Sequence, residues 1–423
     1  VERVTTLTAA IRTPVTVNRR VVAAGTFIAF GLIDILFGLY AHHGDATFAF
    51  SVSGAGVHVP SIHAPAATVA YALGAASILI GLLRAFVDQP PWAKRLSIGL
   101  VLLFFVVSLL CWAYAGSVIP LNVVNLLQGT MNLSIPLVLG ALAGCMCERS
   151  GVINIAIEGQ LLVGAFTAAV VASVAGLWLG VVTGSLAGGL LGSLLAVFAI
   201  RFLVDQIILG VVLNVLASGL TGYLNDRILV THPNLNTGLT FNPVKIPGLG
   251  DIPIIGPIFF DSTIFLYITY AMIILVQVGL FSTRWGLRVR AVGEHPIAAD
   301  TVGIRVLATR YRNVILGGLI AGIGGASLTV GSVGTFTKDM SSGLGYIALA
   351  AMIFGRWTPL GATAAALLFG FTNSLQATLS TINVPVSSFL LLMAPYVATI
   401  IAVAGLVGRV RAPAADGKPY VKA

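Results

Sequence analysis

The chain has 423 residues, of which 57% are hydrophobic and 9% charged, with a mean hydropathy of +1.00 and a formal net charge of +9. Ordinary globular chains carry about 25% charged residues, so these few charges cannot coat a water-facing surface, and a soluble fold is excluded. The positive balance would suggest nucleic acid in a soluble chain. Its clustering between apolar runs reads as membrane topology instead, and no nucleic-acid partner is expected.

Crossing the hydrocarbon core takes about 20 apolar residues. Residues 160–200 and 358–408 run 41 and 51 positions without a charge, room for two crossings each. Apolar runs set against charged breaks predict about twelve spans. The first six are 21–40, 64–83, 97–116, 121–144, 152–175 and 177–200. The rest are 206–225, 262–281, 313–332, 341–354, 358–379 and 386–407. The expected fold class is an all-α polytopic membrane protein. Span 21–40 is too long for a typical signal-peptide core and reads as a retained helix. Segment 341–354 is short, as a half-helix or re-entrant piece would be.

Charge gives a test independent of hydropathy. With the N-terminus inside, the cytoplasmic segments hold 20 of the 23 lysines and arginines, leaving outside only Arg227, Lys245 and Lys338. Cytoplasmic loops collect basic residues, so both termini are expected in the cytoplasm.

Glycines 180, 184, 188 and 192 recur every four residues and line one helix face, where small residues let helices approach closely in lipid. The pairs Gly140/Gly144 and Gly318/Gly322 repeat the device. Two outer loops are long. Loop 41–63 carries His42, His43, His58 and His63 with one nearby carboxylate, Asp45, so no metal is expected there. Loop 226–261 holds five prolines, which makes it stiff and extended, a docking surface or a plain connector. Cys111, Cys145 and Cys147 lie in or beside apolar segments and read as small hydrophobes.

No nucleotide site is visible. A P-loop needs lysine after glycine and before Ser or Thr; of the five lysines only Lys418 follows a glycine, and Pro419 comes next. No catalytic constellation appears either, so an enzyme is not expected. Function must then lie in intramembrane polar residues and in the long basic loop 282–312. Burying polar groups in lipid is costly enough to mark a pathway. Asn125, Gln128 and Asn132 share one stripe of the fourth span, and Asn154 and Glu158 are i, i+4 neighbours in the fifth. Asn214, Asn373 and Gln376 add amides in the seventh and eleventh. Amides both donate and accept, as the edges of a nucleobase or ribose hydroxyls require; the alternative use is interhelical bonding. Asn125, Gln128, Asn132 and Asn154 would face one cavity if the fourth and fifth helices pack together. Asp34 sits mid-span in the first helix with no base in that span.

In the basic loop, Pro296 suits the first turn of a short helix and Gly303 its end, with Ile297, Ala298 and Ala299 forming a small smooth surface between them. The alternative is an amphipathic loop held by anionic lipid. The Ala298-Ala299-x-x-x-Gly303 spacing resembles the coupling loop of importer permeases of the ATP-binding-cassette class. The surrounding R-A-V-G-E-H-P-I-A-A-D-T-V-G-I is similar to the form in the branched-chain amino acid and simple-sugar permease family. The stretch E-R-S-G-V-I-N-I-A-I-E-G at 148–159 resembles that family's E-R-x-G-x-x-N-x-x-x-E-G signature, and G-Y-I-A-L-A at 345–350 with F-G-R-W-x-P-x-G at 354–361 its later block. The nucleoside-importer branch is the most similar. Lys338 and Leu344 depart from the pattern, where an acidic and a basic residue would be expected.

The resemblance implies three parts: an extension at 1–116 with three extra helices, a permease core at 117–408 and a cytoplasmic tail at 409–423. It implies a coupling helix in which Glu294, His295, Pro296, Ala298, Ala299, Asp300 and Gly303 meet separate ATPase subunits. Those subunits would carry ATP and magnesium, this chain needing no cofactor. It further implies a second, different permease subunit, an external solute-binding protein or lipoprotein, nucleoside as substrate, and a multi-pass place in a bacterial cell membrane. A simple sugar or branched-chain amino acid is the alternative cargo, and an ion-coupled secondary transporter the alternative class.

Overall fold

In hydrocarbon every backbone N–H and C=O must find a partner within the chain, and the apolar runs accordingly form helices in the computed structural model. The structure describes residues 19–41, 44–51, 59–382, 393 and 411–422. Among these, nine helices are long and apolar enough to cross a membrane. The chain divides into two compact units near position 121.

The first unit contains α1 (Arg19–Tyr40), α2 (Ala66–Phe86) and α3 (Pro91–Ala113), with a short antiparallel pairing of Asp45–Ala49 with Ile62–Pro65. Gly31 and Gly74 face each other, and a Cβ on either would lie 2.6–2.7 Å from the other's carbonyl oxygen. That close approach is what two glycines in facing helices permit. Phe37 stacks on Trp112 and Phe30 meets Phe105 edge-on, which joins α3 to α1. Asp34 is fully buried in this unit, facing Ser77 and Ser108, and forms no ion pair among the described residues. His63 bonds Thr47 at 3.1 Å; His42, His43 and His58 lie outside the described residues.

The second unit is built on α4 (Val123–Glu148), whose last fifteen residues are buried on all sides. The chain continues through α5 (Ile157–Ala175), α6 (Leu177–Ala196), α7 (Gln206–Leu224), the short α8 (Ile255–Phe259) and α9 (Ile264–Ser282). They are followed by α10 (Arg284–Glu294), α11 (Pro296–Thr301), α12 (Val306–Leu328), α13 (Leu344–Phe354) and α14 (Pro359–Thr381). The glycine face of α6 meets the glycines of α12: Gly188 abuts Gly318 and Gly322, and a Cβ on Gly192 would lie 3.1 Å from the Gly318 Cα. Gly140 and Gly144 of α4 receive Ala348 and Met352 of α13. The proline-rich loop is folded onto the helix ends rather than free: Asn236 exchanges two hydrogen bonds with the backbone of Phe336, at 2.8 and 3.0 Å.

Two boundaries differ from expectation in ways that matter to the site. The fifth span begins at Ile157, not 152, because residues 152–156 are non-helical. The ninth begins at Val306, not 313, which brings Arg310 into the helix, 2% exposed. The half-helix reading of 341–354 holds: α13 has 11 residues, about 16 Å of helix, roughly half of the hydrocarbon thickness. Helix α14 forms as expected but is not among the nine apolar crossings. The expected span 386–407 lies outside the described residues, except for Met393.

Candidate functional site

After Glu148 the chain turns at Gly151, whose φ of +87° favours glycine, and runs back beside α4 without helical hydrogen bonds. Ile157 lies against both Gly140 and Gly144, so α5 starts up to about 12 Å along α4 from its end. Irregular backbone at that depth needs partners from neighbouring helices. One face of α7 supplies them: Gln206 Oε1 accepts from Ile153 N at 2.8 Å, and Asn214 Nδ2 donates to Ile155 O at 2.9 Å. Gly210, between them, lets α7 close onto Ile155. Asn214 Oδ1 also accepts from Gly159 N at 2.8 Å. The fully buried Asn154 donates to Gln160 Oε1 at 3.1 Å and to Cys147 Sγ at 3.4 Å.

Glu158, one position into α5, holds the start of α13. Its Oε1 accepts from Ser341 Oγ at 2.6 Å and Gly343 N at 2.8 Å, and its Oε2 accepts from Gly345 N at 2.6 Å. A carboxylate at a helix N-terminus satisfies orphan donors and opposes the helix dipole. Gly345 has no room for a Cβ because the Glu158 backbone occupies the space. Tyr346, 47% exposed, shares its hydroxyl with Asn214 Nδ2 at 3.1 Å.

The other end of α13 is held by the start of the same chain stretch. Glu148 Oε2 accepts from Trp357 Nε1 at 2.5 Å, while Arg149 donates to the carbonyls of Trp357 at 2.7 Å and Arg356 at 3.2 Å. Residues 148–158 therefore grip the half-helix at both ends.

That stretch also meets the basic loop. Gly293 of α10 packs on the Arg149 carbonyl with no room for a side chain. Segment 411–422 closes over the junction: Ala415 N donates to Gly293 O at 2.9 Å, Ala414 N to Glu294 Oε2 at 3.2 Å, and Arg310 Nη1 to Lys418 O at 2.9 Å. Asp416 lies beside Glu148 and faces the Arg310 guanidinium. Burial pushes the Asp416 carboxyl up to about 6, opposed by the Gly417 N–H and Arg310. Tyr420 packs with Val292, Ala299 and Val306 and bonds Asp300.

The smooth surface expected on α11 is corrected by this packing. Ala299 is 3% exposed and faces inward, whereas Ile297 is 70% exposed, Ala298 is open, and Val302 beyond the helix is 75% exposed. Pro296 opens α11 after His295, and Gly303, with φ +84°, follows its end, as the sequence suggests.

The four-amide cavity does not form. Asn154 touches Cys147, about 22 Å along α4 from Asn132. On α4, Asn132 Oδ1 accepts from Ser262 Oγ at 2.7 Å and Gln128 donates to Asp261 O at 3.0 Å, both toward the start of α9. The Asn125 and Asn373 side chains have no hydrogen-bond partner among the described residues, and Gln376 bonds Ser380 at 3.2 Å. Ser374 touches Leu126 and Gly129, which sets Asn373 and Gln376 of α14 level with Asn125 and Gln128 of α4. The polar residues thus form two groups, one near the Asn125 end of α4 and one where α5 and α13 begin. The sequence reading missed Gln206, Ser341, Tyr346, Trp357 and Asp416; for Gln206 a signal existed, the i, i+4, i+8 run with Gly210 and Asn214.

Residues 126–404 match the family described as branched-chain amino acid transport system / permease component. The chain is 41% identical over 307 residues to the guanosine ABC transporter permease protein NupQ of Bacillus subtilis, covering 70% of this chain and 96% of that one. It is 39% identical over 320 residues to the nucleoside ABC transporter permease protein NupC of Lactococcus lactis, covering 71% and 99%. The guanosine ABC transporter permease protein NupP of the same Bacillus is 27% identical over 280 residues, covering 60% and 72%. No solved structure matches.

Proposed function

We propose, from the premise that this chain belongs to the permease-component family of branched-chain amino acid transport systems, that it carries nucleosides inward as one permease subunit of an ATP-binding-cassette importer. The likeness to relatives named for guanosine and nucleoside transport supports the cargo. The occurrence of NupQ and NupP in one organism supports pairing with a second, different permease. Nine apolar helices support a multi-pass membrane protein; the finer reading is twelve passes in a bacterial plasma membrane with both termini in the cytoplasm. ATP and magnesium belong to separate ATPase subunits, and an external solute-binding protein or lipoprotein delivers the nucleoside.

The observation that carries the mechanism is the double grip of 148–158 on α13 together with its contact at Gly293. Closure of the ATPases against the exposed face of α11 moves α10, and Gly293 passes the displacement to Arg149. Residues 148–158 move both ends of the half-helix, and Tyr346 with the surrounding polar groups changes its exposure at mid-membrane. The amides of α4 and α14 serve the other end of the path. Fixed charges are few, which suits a neutral cargo.

Uptake of labelled guanosine, uridine, ribose and leucine into cells with and without this gene tests the reading. Loss of nucleoside uptake alone is expected. Loss confined to ribose or leucine refutes the cargo, and uptake driven by an imposed ion gradient in ATP-free vesicles refutes the class.

A further inference from the structure

Two cavities on the second unit meet at one side chain. The first is a cleft of about 430 Å³ between α10 and α12 that holds Arg288, Arg305 and Arg312, with no acidic residue in its lining. Its size falls within the roughly 300–1,000 Å³ of small-molecule sites. Each of the three arginines is exposed, and none of their guanidinium groups has a hydrogen bond or ion pair among the described residues. Three like charges converging on one cleft create a field that only an anion relieves.

The second cavity is a groove of about 720 Å³ along α9, lined by Ile274, Leu275 and Val278 and almost wholly apolar. These residues are 47–64% exposed on a helix apolar enough to cross a membrane. Trp285 lines both cavities. Its ring lies 3.2 Å from where a Gly279 Cβ would stand, so the missing side chain seats the indole against α9. A tryptophan where a membrane helix ends marks the level of the lipid headgroups. The cationic cleft and the groove on the membrane helix both border this indole.

We propose that cleft and groove are one binding site for an anionic phospholipid of the surrounding leaflet, its phosphate among Arg288, Arg305 and Arg312 and an acyl chain along α9. Basic pockets beside membrane helices at the headgroup level bind such lipids. The chemistry favours an amphiphile over a soluble anion, because charge and apolar surface adjoin across Trp285. It favours lipid over a protein partner because the groove lies on a membrane-spanning helix. The lining of the cleft also includes Val302 and Gly303 just beyond α11, so the site borders the surface where the transport reading seats the ATPases, although lipid binding does not depend on that reading.

The test is lipid retention by the purified full-length chain, read by native mass spectrometry after equilibration in mixed vesicles of phosphatidylglycerol and phosphatidylcholine. Phosphatidylglycerol should be retained preferentially, and raised salt should weaken the preference. Each arginine near an anionic surface is worth about fivefold, so the Arg288→Gln/Arg305→Gln/Arg312→Gln triple variant should erase most of it. Val278→Trp, which fills the groove and leaves the arginines in place, should lower retention as well. A wild-type chain with no preference, or a preference that survives the triple variant, overturns the proposal. So does a phosphatidylglycerol signal that millimolar inorganic phosphate displaces completely, which would mark a simple anion site. A preference that vanishes only when ATPase subunits are bound would show that an acidic protein surface is the true occupant, and that also overturns it.

Discussion

Glu158 carries the sharpest prediction, because its carboxylate satisfies three donors at the start of α13. Glu158→Ala orphans all three and removes a charge from the helix N-terminus. Hydrogen bonds to a charged group contribute about 1.5–3 kcal/mol each, and an N-terminal charge about 0.3–1 kcal/mol. Losses within one cluster do not add fully, and water reaches a half-buried site, so roughly 3 kcal/mol is expected. That corresponds to an increase of about a hundredfold in local opening. Glu158→Gln retains an oxygen for Ser341 and Gly343, but its amide N–H₂ meets the Gly345 N–H donor to donor, and roughly a tenfold increase follows from one lost bond. Amide hydrogen exchange in the purified chain reads the effect at Gly343, Gly345 and Tyr346, with the α4 core as internal control. If exchange at these amides is unchanged in Glu158→Ala, the carboxylate does not hold the half-helix and the double grip is wrong.

Three further outcomes follow from the same geometry. Ala298→Arg, on the open face of α11, should leave the chain folded but abolish ATP-driven uptake, whereas Ala299→Arg, 3% exposed, should lower thermal stability as well; equal melting of the two variants would contradict the inward placement of Ala299. Cysteines introduced at exposed Thr240 and His295 should label from opposite sides of the membrane, with Lys418→Cys on the side of His295, and labelling of 240 and 295 from one side would remove a span. The Asp416 carboxyl, pushed up to about 6 by burial, binds its proton more tightly folded than unfolded, so its contribution is complete below the ordinary carboxylate range and is lost as pH rises through about 6. Exchange protection of 411–422 should therefore be greater at pH 5 than at pH 7.5, and Asp416→Asn should flatten the difference; a profile unchanged by that substitution would assign the dependence elsewhere.

The crossings and their glycine seams were legible in the sequence because lipid imposes one rule, continuous apolar helix with small residues where backbones touch. The interruption at 152–156 was not, since Val-Ile-Asn-Ile-Ala reads as apolar and its breakdown depends on Gln206 and Asn214, some fifty residues later. Arg310 misled in the opposite direction. Its charge argued for a loop, yet the helix includes it because Lys418 O and Asp416 meet it from a segment more than a hundred positions away. The amides were visible as residue types, but each belongs to whichever neighbour the fold supplies: Asn154 to Gln160, Asn132 to Ser262. Composition does not contain those pairings.

The family-like signature at 148–159 acquires a physical meaning from its spacing. Glu148 and Arg149 bind the chain just after α13, and Glu158 binds the turn just before it. Ten positions separate the two glutamates, and the nine residues between them must climb alongside a helix of 11 residues, about 16 Å long. An α-helical path of ten residues would cover about 15 Å but would leave no room for the reversal at Gly151. A turn followed by extended chain gives both the reversal and the rise, at the cost of backbone groups that α7 must satisfy. Lengthening or shortening 150–156 by one residue would therefore separate one glutamate from its end of α13, while leaving every transmembrane helix intact. The signature is in this sense a ruler: its two glutamates mark the two ends of the half-helix, Gly151 makes the reversal, and the number of residues between the glutamates sets the distance.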